Sequence, residues 1–239
     1  ISAPECFDKT LAETACSCSG EHGYMPNTGY PHVRRAVARY VTEEQGVPVD
    51  ENDIIMTCGA SGALNVALKT LLDPGDEVLT PVPCFVEYGF YADNHGGVLT
   101  TVPTHADFTL DMARLEKAIS ARTKVVLINS PNNPTGQIYS RESLHDLGEL
   151  LRRKSAQFDH TIYLVSDEPY RKIVFDGHQV PSLFECYAES IIGTSYSKDI
   201  SIPGERIGYA AVNPEARYHD DVLNGMALAN RILGFVNAP

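Results

Sequence analysis

The sequence predicts a three-layer α/β/α protein, in which helices cover both faces of a mostly parallel sheet of seven strands. Short apolar runs alternate with helical segments along most of the 239 residues, the pattern of consecutive strand–helix–strand units. Several of these runs are apolar throughout, as expected for strands that are covered on both faces. With 43% hydrophobic residues, a chain of this length can bury a substantial core.

The predicted elements follow one another in a regular order. A patch of helical character at 7–15 precedes a loop at 24–30, and Pro31 then opens a helix that runs to residue 45. Met112, Leu115 and Ile119 recur three and four residues apart, which indicates a helix. The predicted strands are 54–57, 77–80, 98–102, 124–128, 162–166, 190–194 and 207–212, and the helices among and after them are 61–72, 84–94, 111–120, 140–157 and 214–233.

Composition argues against several classes of function. The net charge of −12 disfavours nucleic-acid binding, because phosphate contacts need a basic face. The sequence has no run of eighteen apolar residues and no secretory signal at its start, so we expect neither a membrane span nor export. Six cysteines, at positions 6, 16, 18, 58, 84 and 186, lack metal-ligand spacing. They fit a reducing cytoplasm and no metal site.

A lysine with unusual neighbours lies between the last two predicted strands. Ser195-Tyr196-Ser197-Lys198 is followed by Gly204-Glu205-Arg206-Ile207-Gly208. A desolvated lysine is a Schiff-base nucleophile. Arginine, glycine and serine supply what a phosphate needs, namely a charged fork, close backbone approach and hydroxyl donors. A lysine that binds an aldehyde beside groups that bind a phosphate indicates pyridoxal phosphate, with Lys198 as its covalent anchor.

The pattern Ser-x-Ser-Lys-x5-Gly-x-Arg-x-Gly resembles the lysine motif of the class I and II aminotransferases, the fold-type I pyridoxal phosphate enzymes. The resemblance extends over roughly residues 20–239, with five motifs in the family's order. It implies that 24–239 form the large, cofactor-binding domain of this family and that 1–23 are a lead-in segment. The family's N-terminal arm and its C-terminal small domain, which carries the arginine that binds the substrate carboxylate, have no counterpart in this chain.

The phosphate contacts come from two motifs. Cys58-Gly59-Ala60-Ser61-Gly62-Ala63 follows the first strand and opens a helix, and the N-terminus of a helix favours an anion. Its place matches the phosphate-binding turn of the family, so the resemblance assigns Ala60, Ser61 and Gly62 to the cofactor phosphate. It assigns Ser195 and Arg206 to the same phosphate.

The residues that contact the pyridine ring and its phenolic oxygen are expected at the ends of three other strands and in the loops that follow them. By resemblance, Phe85 stacks on the ring, and Asn133, in a loop similar to Asn-Pro-x-Asn-Pro-Thr-Gly, binds the phenolic oxygen together with Tyr170. Asp167 pairs with the ring nitrogen, because a carboxylate that keeps this nitrogen protonated lets the ring accept electrons. The neighbouring Glu168 faces the other way by the alternation of side chains along a strand.

Two further residues bear on assembly and substrate. Tyr24, in Gly23-Tyr24-x-Pro-Asn-x-Gly, resembles the tyrosine that reaches the phosphate of the partner subunit. This predicts a homodimer with shared active sites. Arg231, on the last predicted helix, is either a solvated or ion-paired arginine or a residue that favours an acidic substrate.

The predicted function is therefore that of a pyridoxal phosphate-dependent aminotransferase, which moves an amino group between an amino acid and a 2-oxo acid through a Schiff base on Lys198. Lys198, Asp167 and Tyr170 are the predicted catalytic residues. Two alternatives share these motifs: a C–S or β-lyase of the same fold, and a non-catalytic regulator domain that binds the cofactor. Without the missing parts of the family's structure, we expect this chain alone to have little activity.

Overall fold

The computed structural model describes residues 2–17 and 23–235. Residues 1, 18–22 and 236–239, which include Cys18 and belong to the predicted segments 1–23 and 24–239, lie outside the described part of the chain. The described residues form seven helices, α1 (Glu5–Ser17), α2 (Pro31–Gln45), α3 (Gly59–Leu71), α4 (Tyr88–Asp93), α5 (Met112–Ala118), α6 (Arg141–Phe158) and α7 (His219–Ile232). They also form seven strands, β1 (Ile54–Thr57), β2 (Glu77–Val82), β3 (Val98–Pro103), β4 (Thr123–Asn129), β5 (Tyr163–Asp167), β6 (Ser190–Ser195) and β7 (Gly208–Val212).

All seven strands join one sheet in the order β1-β7-β6-β5-β4-β2-β3. The pairs β2–β3, β2–β4, β4–β5 and β5–β6 are parallel, whereas β7 runs antiparallel to both of its neighbours, β1 and β6. The predicted seven-stranded, mostly parallel sheet is confirmed. The reversed β7 has a consequence for the site, because it begins at the edge of the sheet where the other strands end.

Successive residues of each strand point into two separate cores. In β4, Val126 and Ile128 pack among the residues of α2, α5 and α6, whereas Val125 and Leu127 pack with α3, α4 and α7. Every residue of β1, β5 and β7 is buried. Burial on both faces explains why these strands read as apolar runs rather than as alternating ones.

Three helices are shorter than the sequence predicted, and α5 differs least, at Met112–Ala118 in place of 111–120. The helix expected over 84–94 is observed only as α4, from Tyr88 to Asp93. Residues 83–87, which include Phe85, form a loop between β2 and α4. The helix expected over 214–233 begins only at His219. There the side-chain oxygen of Asn213 accepts a hydrogen bond from the Glu215 amide at 3.0 Å. This bond holds the chain in a turn in place of a helix.

Helix α3 lies unusually close to the sheet because three glycines leave room for it. A Cβ on Gly208 would lie 2.8 Å from the Gly59 Cα and 2.3 Å from the Thr194 carbonyl oxygen. A Cβ on Gly193 would lie 3.2 Å from that of Ala63. The start of α3 is thereby held against the ends of β6 and β7.

The substitution Gly208→Ala tests this close approach. We expect it to lower the free energy of unfolding by about 2 kcal/mol, because backbone atoms cannot move aside as a flexible side chain would. Urea unfolding followed by circular dichroism measures the change. Gly204→Ala is the matched control, since a Cβ there has nothing within 4 Å, and equal stability of the two variants would contradict the packing described.

Candidate functional site

A cavity of about 280 Å³ opens at the carboxyl edge of the parallel strands. This is the edge at which open α/β sheets bind their ligands. The loops after β1, β2, β4, β5 and β6 all reach it, and the loop before the antiparallel β7 reaches it as well. Nine of the residues predicted from the sequence line the cavity: Ala60, Ser61, Phe85, Asn133, Asp167, Tyr170, Ser195, Lys198 and Arg206.

Two predicted residues lie outside this lining. Gly62 is buried in the first turn of α3, and a Cβ there would lie 3.4 Å from that of Cys58. Tyr24 is 90% exposed, and the Arg231 guanidinium lies 4.5 Å from the centre of its ring. The assignment of Tyr24 to the phosphate of a partner subunit stays a prediction.

One end of the cavity is suited to an anion. The first turn of α3 has neither an acidic residue nor a side-chain cap, so no side chain of that turn competes with an anion for its amide groups and for the positive end of the helix dipole. Arg206 has left-handed backbone geometry, with φ of 53°, and its Nη1 donates to the Pro203 carbonyl at 3.0 Å. Its Nη2 would lie 3.3 Å from a Cβ on Gly59, so the guanidinium lies against the start of α3.

The lysine lies on the loop that follows β6. The Lys198 Nζ is 5.9 Å from the centre of the Tyr170 ring. The Ser197 hydroxyl donates to Ser195 Oγ at 2.9 Å, which ties the start of this loop to the end of the strand. Lys198 therefore faces the residues that follow β5.

Asp167, at the end of β5, is buried, and only one of its two carboxyl oxygens has a hydrogen-bond partner among the described residues. Tyr88 Oη donates to Asp167 Oδ2 at 2.7 Å. Within the described part of the chain, the buried Oδ1 has no hydrogen-bond partner. Burial raises the pKa of this carboxyl to about 7; the Tyr88 hydrogen bond lowers it in part, and the nearby Glu168 raises it. A buried carboxylate oxygen without a donor is costly, so the site is suited to a cationic donor at this point.

Glu168 is oriented to the opposite side of the strand. Its carboxylate accepts from Arg171 Nη1 at 3.0 Å and from Gln45 Nε2 at 3.5 Å. Burial raises the pKa of Glu168, and Arg171 opposes that rise. The two adjacent buried acids thus have different surroundings, since Glu168 forms an ion pair with Arg171 and Asp167 forms none with the residues that the structure describes.

Asn133, Tyr170 and Phe85 surround the space in front of Asp167. The Asn133 backbone N–H donates to Asn129 Oδ1 at 2.5 Å, and Asn129 Nδ2 donates to the Asp167 backbone carbonyl at 2.7 Å. These bonds fix the loop to the strand end. Burial raises the pKa of Tyr170, Asp167 adds to the rise, and a hydrogen bond with the Asn133 side chain lowers it.

Sequence reasoning missed three polar side chains at or beside the cavity, all in the stretch that follows Phe85. Tyr88 bonds Asp167 and meets the Phe85 ring edge-on at 5.7 Å. Glu87 and Tyr91 line the cavity wall beside Ser61. The recurrence of aromatic residues at 85, 88 and 91 was the available signal, because a spacing of three places side chains on one helical face.

Neither a membrane-crossing helix nor a metal site is found in residues 2–17 and 23–235. None of the helices there is both long and apolar enough to cross a bilayer. The same residues contain no group of three or more His, Cys, Asp or Glu side chains placed to hold a metal ion.

Comparison with known proteins places this arrangement in a family. A family model described as aminotransferase class I and II matches residues 3–235. A probable aspartate aminotransferase of Methanocaldococcus jannaschii is 36% identical over 208 residues, which are 87% of this chain and 53% of that protein. An aspartate aminotransferase of Geobacillus stearothermophilus is 36% identical over 198 residues, 80% of this chain and 49% of that protein.

Solved structures agree with the sequence relatives. An aminotransferase from Eubacterium rectale superposes with a TM-score of 0.96 at 37% identity, covering 100% of this chain and 61% of that one. The structure of aspartate aminotransferase from Thermus thermophilus with maleate superposes with a TM-score of 0.86 at 32% identity. The match covers 100% of this chain and 59% of that one. The chain spans about half the length of the curated relatives it matches. The chain belongs to the class I and II aminotransferase family.

Proposed function

We propose that this chain is the cofactor-binding part of a pyridoxal phosphate-dependent aminotransferase. The observation that carries the proposal is the buried Asp167 Oδ1, which has no partner among the described residues and borders the same cavity as Lys198 and Arg206. The cavity thus offers a carboxylate for a cation, an amine for an aldehyde and a guanidinium for a phosphate. Pyridoxal phosphate has all three complementary groups.

The residues present fit this cofactor group by group. Its phosphate would meet Ala60, Ser61 and Gly62 at the start of α3, together with Ser195 and Arg206. Its ring would lie against Phe85, its phenolic oxygen would face Asn133 and Tyr170, and its ring nitrogen would face Asp167. Tyr24 from a second copy of the chain would complete the phosphate contacts. The residues proposed to bind the cofactor are Tyr24, Ala60, Ser61, Gly62, Phe85, Asn133, Asp167, Tyr170, Ser195, Lys198 and Arg206.

When bound, pyridoxal phosphate would supply an aldehyde that exchanges amines and a ring that accepts electrons. The chain supplies the proton chemistry. The Lys198 amine would remove and return a proton at the substrate carbon. Asp167 Oδ1 would hold a proton on the ring nitrogen, and Tyr170 would donate to the phenolic oxygen.

Substrate, assembly and location are parts of the same proposal. The substrates would be an amino acid and a 2-oxo acid, and the names of the relatives, aspartate aminotransferases, favour aspartate as the amino donor. We propose a homodimer with shared sites in the cytoplasm. The division into a lead-in at 1–23 and a cofactor-binding domain at 24–239 completes the proposal.

The direct test is an absorbance titration with pyridoxal phosphate. The wild-type chain should develop a visible band of protein-bound cofactor that shifts when an amino acid is added, and Lys198→Ala should not. Lys117→Ala, on the exposed face of α5, is the matched control and should behave as the wild type. An equal band in Lys198→Ala would contradict the proposed anchor. In the full-length protein, release of ammonia without an oxo-acid acceptor would favour the lyase alternative.

The pKa of Asp167 predicts how stability depends on pH without the cofactor. An acid whose pKa is raised from 3.8 to about 7 in the folded state binds a proton there that the unfolded chain has released. Stability therefore falls as the pH rises through this window. Asp167→Asn should remove this fall and stabilise the chain above the window by roughly 4 kcal/mol at most.

Unfolding by urea at several pH values measures both effects. Burial also raises the pKa of Glu44 to about 7, which contributes a fall of the same sign. Glu44→Gln is therefore the control, and it should leave the contribution of Asp167 in place. An Asp167→Asn variant with the full pH dependence of the wild type would show that the carboxyl is not perturbed.

A further inference from the structure

The residue that follows Lys198 is an acid whose side chain is mostly buried. Lys198 itself is exposed, whereas the Asp199 side chain is only 10% exposed. Asp199 Oδ1 accepts a hydrogen bond from the Ile200 N–H at 2.8 Å, which fixes the carboxylate to the backbone of its own loop. Asp199 Oδ2 lies 3.3 Å from Lys172 Nζ. A buried carboxylate is costly without a cationic partner, and Lys172 supplies one.

Lys172 comes from a different part of the chain and has a second contact. It lies in the turn after β5, where the Ile173 N–H donates to the Tyr170 carbonyl at 2.8 Å. Its Nζ is 3.9 Å from the centre of the Tyr40 ring on α2, within the range of a cation–π interaction. The ring and the carboxylate together restrict the position of the ammonium group. The ion pair therefore joins the loop of Lys198 to the turn after β5 and to α2.

Lys198 thus has an anchored neighbour on each side in the chain. The Ser197 hydroxyl bonds Ser195 at the end of β6, and Asp199 bonds Lys172. A reacting group must be held within a fraction of an ångström of its productive position, and the backbone on both sides of Lys198 determines where its amine can reach. We propose that Lys172 is a positioning residue, which acts through Asp199 to hold the Lys198 amine where it reaches an aldehyde in the cavity. This inference rests on the proposed function, because it takes Lys198 to be the group that binds the aldehyde.

The bond that this positioning favours is a C=N bond. The Lys198 amine adds to the aldehyde carbon, and the aldehyde oxygen leaves as water with the two amine protons, so no oxidant or reductant is needed. A ligand with the same ring and phosphate but no aldehyde cannot form this bond. Pyridoxine phosphate, which has an alcohol at that position, is such a ligand. Comparing its affinity with that of pyridoxal phosphate separates effects on Lys198 from effects on the rest of the cavity.

Titration calorimetry with each ligand tests the proposal, and the readout is the ratio of the two dissociation constants. Lys172→Met keeps the length of the side chain and removes its charge. It should reduce the preference for pyridoxal phosphate about fivefold, the contribution of a partly exposed ion pair with a cation–π contact. A weaker attraction for the phosphate would affect both ligands alike and cancel in the ratio. Lys172→Arg can form both contacts and should restore the preference.

Two further variants make the result specific. Asp199→Asn removes the other partner of the ion pair and should reduce the preference as Lys172→Met does. Lys154→Met is the matched control. Lys154 also lies over an aromatic ring, that of Phe158 at 5.7 Å, but it belongs to α6 and neither to the turn after β5 nor to the loop after β6, so the preference should not change.

The outcomes separate this inference from the proposed function. A wild-type preference in Lys172→Met would overturn the inference alone. A stronger preference in Asp199→Asn would also overturn it, because the acid would then act on Lys198 through its charge and not through its position. If Lys198→Ala keeps the wild-type preference for pyridoxal phosphate, Lys198 does not bind the aldehyde, and the proposed function fails as well.

Discussion

Asp167 lies at the end of the central strand β5, with one carboxyl oxygen bonded to Tyr88 and the other facing the cavity without a donor. Burial of such a group raises its pKa and lowers the free energy of unfolding. No hydrogen bond to Oδ1 from the described residues offsets this loss. A bound cation would remove the cost. The same desolvation makes the carboxylate a strong partner for a protonated ring nitrogen, because a charge pair is stronger in a medium of low dielectric constant.

The sheet determines which charged side chains lie near Asp167. Alternation along the strand turns Glu168 away to Arg171, which leaves Asp167 as the acid that faces the cavity from this strand. The antiparallel β7 begins where the parallel strands end, so Arg206 just before it reaches the cavity from the opposite chain direction. The close approach of Gly59 and Gly208 brings the start of α3 to the same place. Topology thus brings an acid, a lysine, an arginine and the start of a helix together from distant parts of the chain.

The sequence was sufficient for most of the fold and of the cavity lining. Apolar runs located the strands because most of the sheet is buried on both faces, although the edge strand β3 is largely exposed. The motifs after the strands converge because parallel strands end at one edge. The reversal of β7 was not predictable from the run 207–212, since an apolar run has no direction. The hydrogen bonds of Tyr88 and Tyr91 were missed because each depends on where a loop turns α4. Residues 84–87 were predicted as helix, and only the folded loop shows which face of α4 meets Asp167 and Ser61.

The account depends most on the claim that Asp167 protonates a ring nitrogen, and nitrogen magnetic resonance tests it without any turnover. Pyridoxamine phosphate labelled at the ring nitrogen would be bound to the wild type and to Asp167→Asn near neutral pH. The account predicts the chemical shift of a protonated ring in the wild type and of an unprotonated ring in the variant. An unprotonated ring nitrogen in the wild type would contradict it.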